Sequence, residues 1–198
     1  MNGRIVPLCR LALLGPLVVV MALAASCLGA LPNDRQARIV AGAPHDVLEK
    51  ASVRVRSARV YWLLRSEGGW RGSYEARYGG DAGDPGLMLA RSVRFATEED
   101  AARGYARLTP AYIYSALRDD MAGPGYAFDY PGQLPGDAAT AWLYPVQLPA
   151  EEEASELMGQ FTALRAGRFV MLVQSIGIDP PVLIPAIQAM VDAATTAR

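Results

Sequence analysis

Histidine, lysine and cysteine are nearly missing from this chain. Its 198 residues include one histidine (His45), two cysteines (Cys9 and Cys27), and one lysine (Lys50) among nineteen basic residues. A lone histidine excludes a metal centre built on imidazoles, and no carboxylates stand at a spacing that would complete a mixed one. No metal and no cofactor is therefore expected. Cys9 precedes the long apolar run at residues 11–25, so the segment after that run holds Cys27 alone and no internal disulfide can form there. Packing must hold the domain together. Also absent are a Gly-x-Ser-x-Gly elbow, a phosphate-binding glycine loop and a Cys–His pair. Excess positive charge is lacking too. Beyond residue 26, seventeen basic residues meet twenty acidic ones, which argues against nucleic acid as a partner.

What is present begins with an address. Arg4 and Arg10 lead into the run from Leu11 to Ala25, which closes on Ser26-Cys27. A positive start, a short apolar stretch and small residues at its end make a secretory signal. A membrane-spanning helix needs about 20 apolar residues, and Gly15-Pro16 interrupts this shorter run. Leu23-Ala24-Ala25-Ser26-Cys27 resembles the lipobox of bacterial lipoproteins, in which the cysteine becomes the lipidated first residue after cleavage. The family places a large aliphatic residue three positions before the cysteine; here Ala24 holds that place and Leu23 lies one position further back. The resemblance implies a signal peptide over residues 1–26, lipid attachment at Cys27, and a location in the cell envelope facing the periplasm or exterior. Cleavage near Ala30 to give a soluble secreted protein, or an uncleaved anchor, are the alternatives.

Residues 27–51, rich in Pro, Asn, Asp, Gly and Ala, read as the lipid attachment and a tether, with a short helix near 46–51. His45 falls in this tether, where nothing would hold it in the geometry a general base requires. Residues 52–198 form one domain. Its first strand starts at Val53, and the apolar alternation slips by one residue between Val55 and Ala58, the mark of a β-bulge. A turn at 66–69 leads to a strand over 70–78 that places Arg71, Ser73, Glu75 and Arg77 on a solvated face. Leu87, Leu89, Val93 and Phe95 share one face of a third strand. Thr97, followed by Glu98, Glu99 and Asp100, starts a helix, and Thr109-Pro110 restarts it. Strands follow at 126–130 and 139–148, then a hairpin turning at Ala166-Gly167. Phe169 to Val173 is the expected central strand, and a helix from about 183 to 197 carries Pro185 in its first turn. Short turns between strands predict an α+β fold: a mainly antiparallel sheet with helices packed on one face, a two-layer sandwich.

Chemistry-bearing clusters are sparse. Asp81 and Asp84 sit in a Gly/Pro loop that lacks the alternating oxygen donors of a calcium loop. The runs Glu98–Asp100 and Glu151–Glu153 lie beside element starts, where they stabilise a terminus. Tyr112, Tyr114, Tyr126, Phe128 and Tyr130 fall within nineteen residues and form the candidate surface for a small ligand or an envelope protein, since tyrosine joins contact area to a polar tip. Arg54, Arg56, Arg71 and Arg77 form a second, basic candidate suited to anionic partners. The resulting expectation is a membrane-anchored binding or accessory module of the envelope. The alternative is a secreted hydrolase using paired carboxylates such as Glu75 and Asp129.

Overall fold

The computed structural model describes residues 35–50, 53, 55–60, 62–79, 86–117, 125–128, 133–146 and 158–196. Signal residues 1–26, Cys27, Arg54, Asp81, Asp84, Asp129, Tyr130 and Glu151–Glu153 lie outside them. A short helix α1 (Arg35–Ala37) runs on into a wider turn over Arg38–Gly42, and α2 spans His45–Lys50. The strands are β1 (Val55–Val60), β2 (Trp70–Tyr78), β3 (Leu87–Phe95), β4 (Tyr126–Phe128), β5 (Ala138–Pro145), β6 (Met158–Ala166) and β7 (Phe169–Ile176). Helices α3 (Glu98–Arg107) and α4 (Pro110–Leu117) separate β3 from β4, and α5 (Pro180–Thr196) closes the fold.

The seven strands form one sheet in the order β1-β2-β3-β7-β6-β5-β4, and every neighbouring pair is antiparallel. Two meanders, β1–β3 and β4–β7, meet along β3 and β7. Reaching β4 from β3 requires passing three intervening strands, about 19 Å at the usual strand spacing. The α3–α4 pair makes that passage across one face. The fold is α+β with an antiparallel sheet, as the strand spacing indicates.

Helices cover both faces, however, not one. Leu87, Leu89, Val93 and Phe95 of β3 join Val170, Leu172 and Ile176 of β7 beneath Ala101, Leu108 and Ile113 of the α3–α4 layer. The alternate residues Met88, Ala90, Met171 and Val173 pack on the other side under Leu183, Ile187, Met190 and Val191 of α5. Central strand β7 is consequently buried along its whole length. This is why Phe169 to Val173 is apolar at both parities.

The second layer corrects the tether as well. Residues 35–198 form one compact unit, and among the described residues before position 51 Ile39, Val40 and Leu48 are buried in the α5-side core. Two polar contacts fix this segment to the sheet. Gln36 Nε2 donates to Gly72 O at 2.9 Å, and the Tyr78 hydroxyl donates to Val40 O at 2.6 Å. Burial pushes the Tyr78 phenol well above its ordinary range. Residues 35–50 thus belong to the fold, and the domain begins before position 52.

Local signals act as their chemistry requires. Val55 pairs with Tyr78 and Ser57 with Arg77, so Arg56 is the extra residue of the expected bulge. Thr97 Oγ1 accepts from Asp100 N at 3.0 Å to cap α3, and Thr109 Oγ1 accepts from Tyr112 N at 3.2 Å. Gly104 lets α3 lie directly on Phe95, whose ring would stand 2.5 Å from an added Cβ. Helix α5 starts earlier than its apolar pattern suggests. Pro180 and Pro181 occupy its first turn, where a missing N–H costs nothing, and Asp179 O accepts from the amides of Val182 and Leu183. Pro185 therefore lies inside the helix.

Candidate functional site

An arginine occupies the middle of an apolar strand face. Arg91 lies between Leu89 and Val93 on the side of β3 that carries the α3–α4 layer, and only 2% of it is exposed. An isolated buried guanidinium is too costly to keep, so partners must meet it. The β2–β3 register sets Glu75 directly opposite, and Arg91 Nε donates to Glu75 Oε2 at 2.7 Å. Glu75 is itself 4% exposed. Arg91 Nη1 donates to Gln174 Oε1 on β7 at 3.2 Å, and Gln174 Nε2 donates to the Tyr144 hydroxyl on β5 at 2.8 Å. Tyr144 reaches inward across β6 because Gly159 has no side chain to obstruct its ring, which also rests on Phe161 with centroids 4.5 Å apart. One polar row thus crosses the sheet from β2 to β5.

This row suits alignment of strands better than catalysis. Glu75, Arg91 and Tyr144 each make a further interaction besides these, and a carboxylate enclosed with a guanidinium has no route to a substrate proton. The expected solvated face of β2 is corrected accordingly: Ser73 and Glu75 are buried on the side that carries the α3–α4 layer. The Ser73 and Ser92 hydroxyls are buried without a hydrogen-bond partner among the described residues, on opposite sides of the sheet. Among the described residues no three His, Cys, Asp or Glu side chains converge as a metal ion would need. His45 is in α2, with Nε2 3.3 Å from Glu49, and not in a loose tether.

The aromatic group is divided. Tyr112 and Tyr114 are half-buried and pack on the core beneath α3 and α4. Tyr126 pairs with Leu143, whose neighbours Trp142 and Tyr144 point into that core, so Tyr126 lies on the opposite face of the sheet, where it is 55% exposed. Phe128 ends β4, the edge strand. The structure does not bring Tyr112, Tyr114 and Tyr126 onto one surface. Of the basic group, Arg56 and Arg71 are exposed and Arg77 is half-buried; Arg56 Nε donates to Gly79 O at 3.1 Å.

A different aromatic site forms at the β1–β2 connection. The alternation of β1 carries Trp62 on past Val60, and both are exposed, at 58% and 50%. The chain then turns so that Leu63 and Leu64 enter the core, Leu64 in the left-handed backbone region at φ 54°. That conformation costs roughly 1–2 kcal/mol for a non-glycine residue, which burial of two leucines at about 2 kcal/mol each more than offsets. With the leucines turned in, Trp62 is left outside. Its ring lies 5.8 Å from that of Trp70, tilted by 31°, and the Arg65 guanidinium sits 4.5 Å above it. Trp70 Nε1 donates to Leu63 O at 3.2 Å and locks the pair to the turn. The sequence signal was the Leu63-Leu64 doublet, which competes with Trp62 for the interior.

No family model and no curated protein matches this chain. Its fold does recur among solved structures, in an extracellular domain. That neighbour is the extracellular domain of PknH from Mycobacterium tuberculosis, with a TM-score of 0.54 and 11% identity, covering 84% of this chain and 97% of that one. At this identity the likeness is one of fold. Among the described residues, no helix is long and apolar enough to cross a membrane.

Proposed function

We propose that this chain is an extracytoplasmic binding or accessory module of the cell envelope, held to the membrane by lipid on Cys27. The observation that carries the reading is the fold, which matches nearly the whole of a domain described as extracellular. The sequence supports the anchor: a positive start, an apolar run too short to span comfortably, and a single cysteine after it. Binding is favoured over hydrolysis because the carboxylate offered for catalysis, Glu75, is enclosed with Arg91. The fold's interior is committed to packing, so recognition belongs to its loops and edges.

The test is metabolic labelling with a palmitate analogue, followed by membrane fractionation of the wild-type chain and Cys27→Ala. Label and membrane retention should both disappear in the variant. Retention without label would identify the uncleaved apolar segment as the anchor, and a labelled Cys27→Ala chain would remove Cys27 from the account.

A further inference from the structure

We infer that the Trp62–Trp70–Arg65 cluster is a membrane-contact site that rests the domain on the phospholipid surface to which its lipid anchor attaches. The inference depends on the Cys27 anchor of the preceding reading and adds an orientation to it.

Three observations meet at this place. The first is composition: Trp62 and Val60, two residues apart in the chain, are two of the exposed large apolar side chains among the described residues, and the Trp62 ring carries a guanidinium on its face. Tryptophan settles at the headgroup level of a bilayer, where an amphipathic ring is favoured, and arginine beside it can meet lipid phosphate. The second is charge. Arg65 and Arg71 are exposed, while three of the neighbouring acids are engaged by other arginines: Glu67 by Arg107, and Glu99 and Asp100 together by Arg103. Three acids at the start of α3, exposed Glu98 among them, meet one arginine, so the positive groups at this end are Arg65 on the turn and Arg71 at the start of β2.

The third observation is where the chain enters the fold. Gln36 is bonded to Gly72 O, two residues from Trp70 at the same end of β2. Nine residue steps separate Cys27 from Gln36, a reach of at most about 32 Å even if fully extended. A compact unit of this length is about 40 Å across. The leash is therefore shorter than the domain it holds, and the end of the sheet that carries Trp62 lies nearest the membrane.

The experiment uses the full lipidated chain reconstituted into phosphatidylcholine and phosphatidylglycerol vesicles whose acyl chains are brominated near the headgroup. Bromine quenches only indoles at the interface. Trp62 is one of three tryptophans, so the brominated vesicles should remove up to about a third of the emission, and Trp62→Phe should abolish that loss. Undiminished emission from a chain that remains membrane-held through Cys27 overturns the contact site and leaves the anchor standing. Quenching that persists in Trp62→Phe overturns it too, by placing another tryptophan at the surface. A chain whose membrane attachment ignores Cys27→Ala removes the anchor and, with it, the basis for this orientation.

Discussion

Replacing Arg91 by methionine tests whether the buried polar row is structural. Methionine matches the arginine stem and keeps the strand packed, so the change isolates the guanidinium. It leaves the Glu75 carboxylate, 2.7 Å away and 4% exposed, without its cation. Breaking a buried pair from one side costs about 3–5 kcal/mol, because the remaining charge stays desolvated. It also takes the Nη1 donor from Gln174 Oε1. A domain of this kind is stable by about 5–15 kcal/mol, so the variant should be folded but fragile. With a urea slope near 2 kcal/mol per molar, a 4 kcal/mol loss lowers the unfolding midpoint by about 2 M.

The companion variant decides the mechanism. Glu75→Leu combined with Arg91→Met removes both charges and leaves apolar side chains of comparable size. The Gln174 carbonyl then lacks its donor, a cost of about 1–3 kcal/mol, but no buried charge is left without its counterpart in the pair, so the double variant should recover much of what Arg91→Met loses. Urea melts of the wild type, both single variants and the double variant, followed by circular dichroism with unchanged slopes, give the coupling directly. A loss below about 1 kcal/mol in Arg91→Met, as for a solvated surface pair, would refute the buried geometry. A double variant no more stable than Arg91→Met would show that the row does not act as a pair.

Tyr78→Phe should cost about 1 kcal/mol at neutral pH by removing the hydrogen bond to Val40 O. Burial raises the folded-state phenol, so its stability contribution is complete below the unfolded value near 10 and declines as pH rises beyond it. The wild-type advantage over Tyr78→Phe should shrink by about 1.4 kcal/mol per pH unit above that point, and a constant difference in alkaline urea melts would contradict the burial. A chain starting at residue 52 lacks Ile39, Val40 and Leu48, a loss of about 2 kcal/mol for each side chain. It should melt far below the chain that retains them, and equal melting temperatures would return residues 35–50 to the role of a tether.

The strand pattern was legible because it depends on short-range chemistry. The slip at Arg56, the threonine caps of α3 and α4 and the apolar β7 all follow from neighbours a few residues apart. Glu75 was misread for a reason equally physical. Alternation of apolar and polar residues on β2 has two meanings: a face in water, or a face buried against other polar groups. What separates them is Arg91, a charge at the odd positions of β3 where Leu87, Leu89, Val93 and Phe95 are all apolar. Gln174 interrupts β7 in the same way between Leu172 and Ile176. Three polar residues on three strands, each within an otherwise apolar face, are the signature of a buried network. Which strands are adjacent decides whether they meet, and β3 finds β7 only through a contact 83 residues apart in sequence.

The same two-sided burial determines where this domain can touch anything else. A sheet covered on one face could present the other for binding, as the aromatic and arginine surfaces were expected to do. With α3 and α4 on one side and α5 on the other, mainly edges and ends are left. The exposed large apolar side chains among the described residues are there: Val60 and Trp62 leave β1 at one border of the sheet, and Tyr126 starts β4 at the other. Open edges invite strand addition. On β1 the exposed Arg56 sits within a bulge, which works against that pairing, while the next segment turns Trp62 outward beside Arg65. The two borders therefore differ in kind. The β1 end carries paired indoles, the exposed Arg65 and the contact of Gln36 with Gly72. Among the described side chains, the β4 end carries the exposed Tyr126 on a three-residue strand. In the orientation proposed above, the domain rests on its β1 end, and β4 is the border that a protein or ligand outside the membrane would meet first.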